Sequence, residues 1–476
     1  MFTRRELLGS AYSGLGLLAL ADMLQAEDPA QAASPYLPKK PHLPRKAKRC
    51  IFLFMQGGVS QMDSYEYKPE LNKLHGKPLP GSHDLRGEIQ GRLSHHHSCV
   101  ASPFKFSRHG ESGRYVSELF PNLARQVDDL AFIHGIETDN PNHGPSTLHV
   151  TTGSQFPGSA SVGSWVSYGL GTENQDMPAY MVIQDPRGAP VNGAHVWGNG
   201  YLPAAYQGTL LRSKGTPILN LALPKGLDRK RQRGELDQLR WLNEKHRRNY
   251  VEISELEARI QSYELAYRMQ TRAPQLIDLS DEPEHIHKLY GLDNANTAGF
   301  GRQCLLARRL AESGVRYTML VHGVQIGSSS WDDHGDVKAG MIRHSREVDQ
   351  PVAALLSDLK QRSMLDDTLV VWASEMGRTP FKNGDVGNKP GRDHNKYGLV
   401  MWMAGGNVKG GATVGGTDDF SLRAAEAPIP IRDVHATLLN LMGLDDERLR
   451  YHHAGRLRRL TDVGGSILTP MLGTPS

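Results

Sequence analysis

The chain is 476 residues long, carries 55 Lys and Arg against 51 Asp and Glu, and is 38% hydrophobic. So small a positive excess spread over so large a molecule argues hardly at all for nucleic acid, and only weakly for an anionic small molecule or glycan ester as ligand. The three cysteines, Cys50, Cys99 and Cys304, have neither zinc-ribbon nor haem-attachment spacing. They allow at most one disulfide, and three buried thiols are the simpler reading.

The first residues, Thr3-Arg4-Arg5-Glu6-Leu7-Leu8, lead into a leucine-rich stretch through Leu20 and then to Ala30-Gln31-Ala32. This pattern predicts a twin-arginine export signal over residues 1–32, so the mature protein is expected in the periplasm or outside the cell. A permanent membrane anchor or an ordinary amphipathic helix is the alternative. Gly9, Gly14, Gly16 and Asp22 disfavour an anchor, because a span needs about 20 apolar residues. No later stretch is long and apolar enough either, so no stable transmembrane anchor is expected after cleavage. Residues 33–48, rich in proline and basic side chains, read as an extended linker.

Residues 49–476 read as one α/β domain. The apolar run 50–55 ends at Gly57-Gly58, as a buried parallel strand does when it enters a glycine loop. Further strands are expected at 130–134, 179–183, 315–321, 368–373 and 399–403. At about 225–272 the composition turns rich in Arg, Glu, Gln and Leu. Apolar residues recur there every three or four positions from Leu239 to Tyr267, predicting a helix or helical hairpin packed on the core. A second stripe, Asp349, Val352, Leu355, Leu356 and Leu359, precedes the 368–373 strand. Helix and buried strand in alternation point to a doubly wound, mostly parallel sheet.

Three polar segments crowd the C-terminal third: Trp331-Asp332-Asp333-His334-Gly335, Ser374-Glu375-Met376-Gly377-Arg378-Thr379-Pro380, and Gly391-Arg392-Asp393-His394. In extended chain Asp332 and His334 share a face while Asp333 points away. With Glu375 and His394 they offer hard oxygen and borderline nitrogen, a donor set for a divalent metal, zinc or manganese rather than oxygen-hungry calcium. Arg378 and Arg392 either fork a bound oxyanion or tie loops to neighbouring carboxylates. Earlier, around Asn142-His143-Gly144-Pro145-Ser146, His143 is a candidate ligand or acid/base and Ser146 a candidate activated hydroxyl, with turn capping as the plain alternative. His95-His96-His97, His285, His287, His452 and His453 read as solvated loop histidines.

The ordered series Phe54-Met55-Gln56-Gly57-Gly58-Val59-Ser60-Gln61-Met62-Asp63, the three segments above and Ala404-Gly405-Gly406 resembles the DUF1501 family. That family is common in planctomycete bacteria and resembles the alkaline phosphatase and sulfatase superfamily. The resemblance spans nearly the whole mature chain. It implies an alkaline-phosphatase-like α/β fold, with a mostly parallel central sheet flanked by helices and carrying a helical insertion, but brings no substrate. Against true sulfatases, the strand-end acidic pair is replaced by Gly57-Gly58, leaving Ser60 and Asp63 as the nearest polar groups and Asp63 as a further candidate ligand. The nucleophile motif Cys-x-Pro-Ser-Arg resembles His143-Gly144-Pro145-Ser146-Thr147, with histidine in place of the formylglycine precursor. The late Ser-Asp-His-Gly corresponds to Ser374-Glu375-Met376-Gly377.

Formylglycine chemistry is therefore not expected. Two readings remain: an exported metal-dependent hydrolase of phosphate or sulfate esters, or a non-catalytic relative that binds an anionic glycan or a partner protein. If the signal reading is right, replacing Arg4 and Arg5 together by lysine leaves precursor in the cytoplasm, as fractionation and immunoblotting would show; unchanged export of that variant contradicts it.

Overall fold

Strand β1 (Arg49–Met55) is apolar on both faces, and the fold uses both. Ile51, Leu53 and Met55 enter one core, while Cys50, Phe52 and Phe54 enter the other. A strand of this kind belongs in the middle of a covered sheet. The computed structural model describes residues 36–79, 97–212, 218, 223, 226–249, 254–324, 329–383 and 387–473. The predicted signal over residues 1–32, and His95 and His96, lie outside these.

Around β1 are β2 (Leu130–Glu137), β3 (Tyr180–Ile183), β4 (Thr209–Leu211), β5 (Tyr317–His322), β6 (Thr368–Ala373), β7 (Leu399–Ala404), β8 (Thr413–Val414) and β9 (Ile429–Pro430). The sheet order is β8-β2-β7-β6-β1-β5-β3-β4, with β9 pairing β2. Every neighbouring pair is parallel except the two made by β7, which runs against both β6 and β2. The fold is thus mixed α/β with a largely parallel sheet. The six strands expected from the sequence form within one or two residues of their expected starts.

One face is covered by α4 (Ser254–Ile277), α5 (Ala298–Glu312) and α6 (Val337–Gln361), and the other by α1 (His143–Thr152), α2 (Val162–Leu170) and α7 (Ile431–Leu441). The insertion is a helical hairpin of α3 (Arg229–Asn249) and α4, clasped by Arg233 and Arg240 on Glu264. Leu265, Met269 and Ala273 of α4 reach the core, whereas Trp241 and Leu242 of α3 stay exposed. Residues 250–253, including Tyr250 and Ile253 of the expected stripe, lie outside the described residues. Among those described, no helix is long and apolar enough to cross a membrane.

The 33–48 linker is not free over residues 36–48. It lacks regular structure, yet Lys39 N donates to Leu170 O at 2.9 Å, Ala47 N donates to Leu441 O at 2.8 Å, and Tyr36 is buried. The apolar side chains at its two ends make it a strap across the domain. All three cysteines are free and buried.

Two buried histidines couple this packing to pH. His435 on α7 donates from Nε2 to Val150 O of α1 at 2.8 Å, its Nδ1 has no partner, and burial holds its pKa at about 4. Burial also lowers His134 to about 4, with Glu66 opposing. In the unfolded chain both regain the ordinary value near 6.5, so the unfolded state binds more protons and stability falls as pH drops from about 6.5 toward 4, by ~2–3 kcal/mol per histidine. Urea midpoints measured between pH 7.5 and 4.5 should show this loss, and His435→Gln should make it smaller; an unchanged slope would place the linkage elsewhere.

Candidate metal centre

The register of β1, β5 and β6 brings three strand ends together. Phe54 pairs with Ala373 and Met55 with His322, so Gln56, Ser374-Glu375 and His322 crowd the C-terminal edge of the parallel strands, where α/β folds place their sites. Glu375 is fully buried and surrounded by donors. Gln56 Nε2 lies 2.5 Å from Oε1, Gly57 N donates at 2.8 and 3.0 Å to its two oxygens, Ser374 Oγ donates at 3.1 Å to Oε2, and His143 Nδ1 stands 2.8 Å from Oε1.

His143 is the first residue of α1, and with Nδ1 on Glu375 its Nε2 is aimed at Asp332 Oδ2, 3.3 Å away. That nitrogen is buried and makes no aligned hydrogen bond. The other oxygen of Asp332 meets His334 Nε2 at 2.9 Å, His394 Nε2 at 3.1 Å and Arg378 Nη2 at 2.6 Å. His334 and His394 hold their Nε2 atoms 3.0 Å apart. Donor atoms of His143, Asp332 and His394 all fall within 4.8 Å of one another, and those of His334, Asp393 and His394 form a second such group sharing His394.

The electrostatics follow from this crowding. Burial opposes charge on His143, but Asp332 and Glu375 on either side outweigh it and lift its pKa to about 9. Burial likewise opposes the Asp332 carboxylate, yet His143, His334, His394 and Arg378 hold it far below the usual range. Burial pushes His394 down. Converging imidazole nitrogens, a carboxylate and a buried nitrogen without an aligned partner fit a divalent cation with nitrogen-rich ligation. A carboxylate behind His143 fixes which of its nitrogens faces the cation.

The sequence-derived candidates sort as follows. His143, Asp332 and His394 hold donor atoms within 4.8 Å of one another, His334 touches this group through Asp332 and His394, and Glu375 stands one imidazole behind, on Nδ1 of His143. Asp333 points away, its Oδ1 side lying against Gly340 of α6. Asp63 is elsewhere: fully buried, it takes Arg392 Nε at 2.6 Å and Nη2 at 3.1 Å, and Ser60 Oγ at 2.5 Å. Ser146 turns its hydroxyl to Asn140 O, one turn of chain away from the converging nitrogens. Arg378 is committed to Gly57 O, Gly58 O, Trp331 O and Asp332, so it ties loops together. Sequence reasoning passed over Gln56 and Asp393; Gln56 was legible as the first polar residue after an apolar strand.

A second histidine group, His322, His344 and Glu347, also lies within metal-ligating distances. Its chemistry is different. The indole N–H of Trp331 can only donate, and it donates to His322 Nδ1 at 3.1 Å, so Nε2 carries the proton that points at Glu347 Oε2, 2.6 Å away. Arg187 grips both oxygens of Glu347 at 3.1 Å. His322 has no lone pair left for a cation; it anchors Trp331 and through it the neighbouring Asp332.

A family model for DUF1501, a protein of unknown function, matches residues 47–472. The chain belongs to this family. No curated protein matches it. Among solved structures, this DUF1501 protein is similar to a phosphonate monoester hydrolase from Silicibacter pomeroyi, with 11% identity over 90% of this chain and 78% of that one and a TM-score of 0.36. It is also similar to a sulfatase from Pseudoalteromonas sp., with 12% identity, 90% and 72% coverage and a TM-score of 0.33. Alkaline phosphatase from the Antarctic bacterium TAB5 matches with 10% identity, 76% and 92% coverage and a TM-score of 0.32.

The placement of Asp63 gives a direct test. Asp63→Ala strands a buried guanidinium, so the folded state should lose ~3–5 kcal/mol in chemical denaturation. Any metal that the wild type takes up on titration should be taken up equally by the folded variant; loss of uptake without loss of stability would return Asp63 to the candidate ligand set.

Proposed function

We propose that this DUF1501 protein is an exported metal-dependent hydrolase of phosphate or sulfate esters. The observation that carries the reading is the orientation of His143, anchored at Nδ1 by Glu375 and aimed at Nε2 toward the group it forms with Asp332 and His394. These three would hold the ion. When bound, a zinc- or manganese-like cation supplies a Lewis acid for the ester oxygen and a sharpened water nucleophile. The choice of phosphate or sulfate esters comes from the motif order, which resembles that of the alkaline phosphatase and sulfatase superfamily.

The chain's own residues divide the remaining work. Glu375 orients His143, and Arg378 holds Asp332 in place from behind. His334 is the donor that solvent reaches, with 47% of its side chain exposed, and its Nδ1 lies 3.8 Å from Asp393. It is therefore the imidazole that stands where an ester and water would enter. The second reading, a non-catalytic protein that binds an anionic glycan or a partner, draws support from Ser146 and Arg378, whose polar atoms are spent on the backbone and Asp332.

Purified mature protein should contain a divalent metal by elemental analysis and hydrolyse p-nitrophenyl phosphate or sulfate. His143→Ala and Asp332→Asn should abolish both. Glu375→Gln should weaken metal affinity by about 10–100-fold in chelator competition, because it alters the support and leaves the ligands. Tight metal with no hydrolysis of either ester favours the binding protein; absence of uptake on titration removes the metal reading altogether.

A further inference from the structure

The small positive excess of the chain is unevenly placed. From Arg448 to Arg459 the sequence carries five arginines and two histidines and no acidic residue. This segment folds as a hairpin of β10 (Tyr451–His453) and β11 (Arg456–Arg458), turned by Ala454 and Gly455, both at positive φ. It sits at the pole of the domain opposite the candidate centre. Helix α1 starts at the centre with His143 and runs for 10 residues. That carries it ~15 Å along its axis, to where Gly153 packs against the carbonyl of Leu460. The 36–48 strap lies at the same pole, since Leu43 N donates to Gly443 O at 3.0 Å and Arg448 Nη1 donates to His42 O at 3.2 Å.

Register decides which way the hairpin side chains face. Tyr451 pairs with Arg458 and His453 with Arg456, so these four share one face, and His452 and Leu457 share the other. The first face is turned to the domain: Tyr451 and Tyr168 have ring centroids 5.7 Å apart, His453 stacks on Tyr201 at 5.8 Å, and the Arg458 guanidinium lies 5.6 Å over the Tyr201 ring. Tyr168 Oη donates to Arg450 O at 3.0 Å and pins the base of the hairpin. The second face therefore points to solvent, yet it carries a leucine, and Leu457 is 60% exposed. Val463 in the loop that follows and Phe156, three residues beyond Gly153, are each 75% exposed. None of the five arginines makes an ion pair among the described residues. Of the flanking acids, Asp445 accepts from Glu447 N and Arg448 N, Asp446 is buried on Thr461, and only Glu447 and Asp462 are exposed, so positive charge predominates. Large apolar side chains standing among unpaired guanidinium groups match a surface that is anionic outside and apolar a few ångströms beneath. A soluble polyanion would satisfy the arginines but leave Leu457, Val463 and Phe156 in water.

We propose that this pole docks on a bilayer carrying anionic phospholipids, with the arginines at the headgroups and Leu457, Val463 and Phe156 below them, so that the candidate centre faces away from the membrane. Docking does not depend on the hydrolase reading. The test is co-sedimentation of the mature chain with vesicles of phosphatidylcholine mixed with phosphatidylglycerol, with pure phosphatidylcholine vesicles as uncharged control and a DNA oligonucleotide as soluble polyanion. The mixed vesicles should bind the protein, less so as salt rises, and the uncharged vesicles should bind it far less. Arg450→Ala with Arg456→Ala should weaken binding to the mixed vesicles about tenfold or more. Leu457→Ser with Phe156→Ser should weaken it about tenfold as well, at unchanged net charge. All four side chains are exposed, so the thermal midpoint and any metal uptake should stay as in the wild type. No binding to the mixed vesicles, equal binding to the uncharged ones, full binding by either double variant, or DNA binding as tight as vesicle binding would each overturn the proposal.

Discussion

A single buried carboxylate holds the polar end of this fold together. Glu375 has no solvent contact, and burying an ionised carboxyl without partners costs several kcal/mol even after relaxation. Its partners come from three separate elements: Gln56 and Gly57 at the end of β1, Ser374 at the end of β6, and His143 at the start of α1. The requirement to satisfy one group therefore fixes the relative positions of two strands and a helix. The helix arrives with its first imidazole already oriented, and the centre is assembled as a consequence.

The backbone has to come close for this to work. Gly57 adopts φ +120°, and a Cβ there would run into the backbone nitrogens of Trp331 and Asp332, so only glycine lets the Asp332 segment lie on the end of β1. Arg378 then stitches that crossing by donating to the carbonyls of Gly57, Gly58 and Trp331 and to the Asp332 carboxylate. Arg392 performs the same service one layer out, with Asp63, Val100 and Thr379. Planar guanidinium groups suit this role because each can serve several fixed acceptors at once. The two arginines are structural members of the site, and their burial explains why neither faces the rim.

Packing charges so closely also sets the protonation state. With its pKa lifted to about 9, His143 is an imidazolium at neutral pH whenever no cation is present, shared between Asp332 and Glu375. A ligand nitrogen has to be free of its proton, so on the proposed metal reading cation uptake would be linked to proton release at this residue. The same two carboxylates that orient the ring thus also hold its proton, and on the proposed metal reading that opposition would make ion binding depend on pH.

The sequence by itself determined the sheet and its covering. Runs such as 50–55 and 369–373, apolar at every position and bounded by glycine or polar residues, read as strands buried on both faces, and the stripe ending at Leu359 reads as a helix lying on them. It also marked the residues of the candidate centre, because Asp332, His334 and His394 stand in glycine-bearing segments with no apolar periodicity to explain them. What the tertiary structure decided was partnership. Nothing local distinguishes Asp63, which meets Arg392 across 329 positions, from Asp332, which meets three histidines, because both are short acidic side chains beside polar residues. Ser146 and His143 are three residues apart on one helix, yet one caps a turn and the other faces the centre, since the direction of each is set by where α1 docks. The role of Glu375 was equally hidden: a carboxylate at a strand end becomes a ligand or a support according to which imidazole reaches it first, and that is settled only when the register of β1 and β6 is fixed.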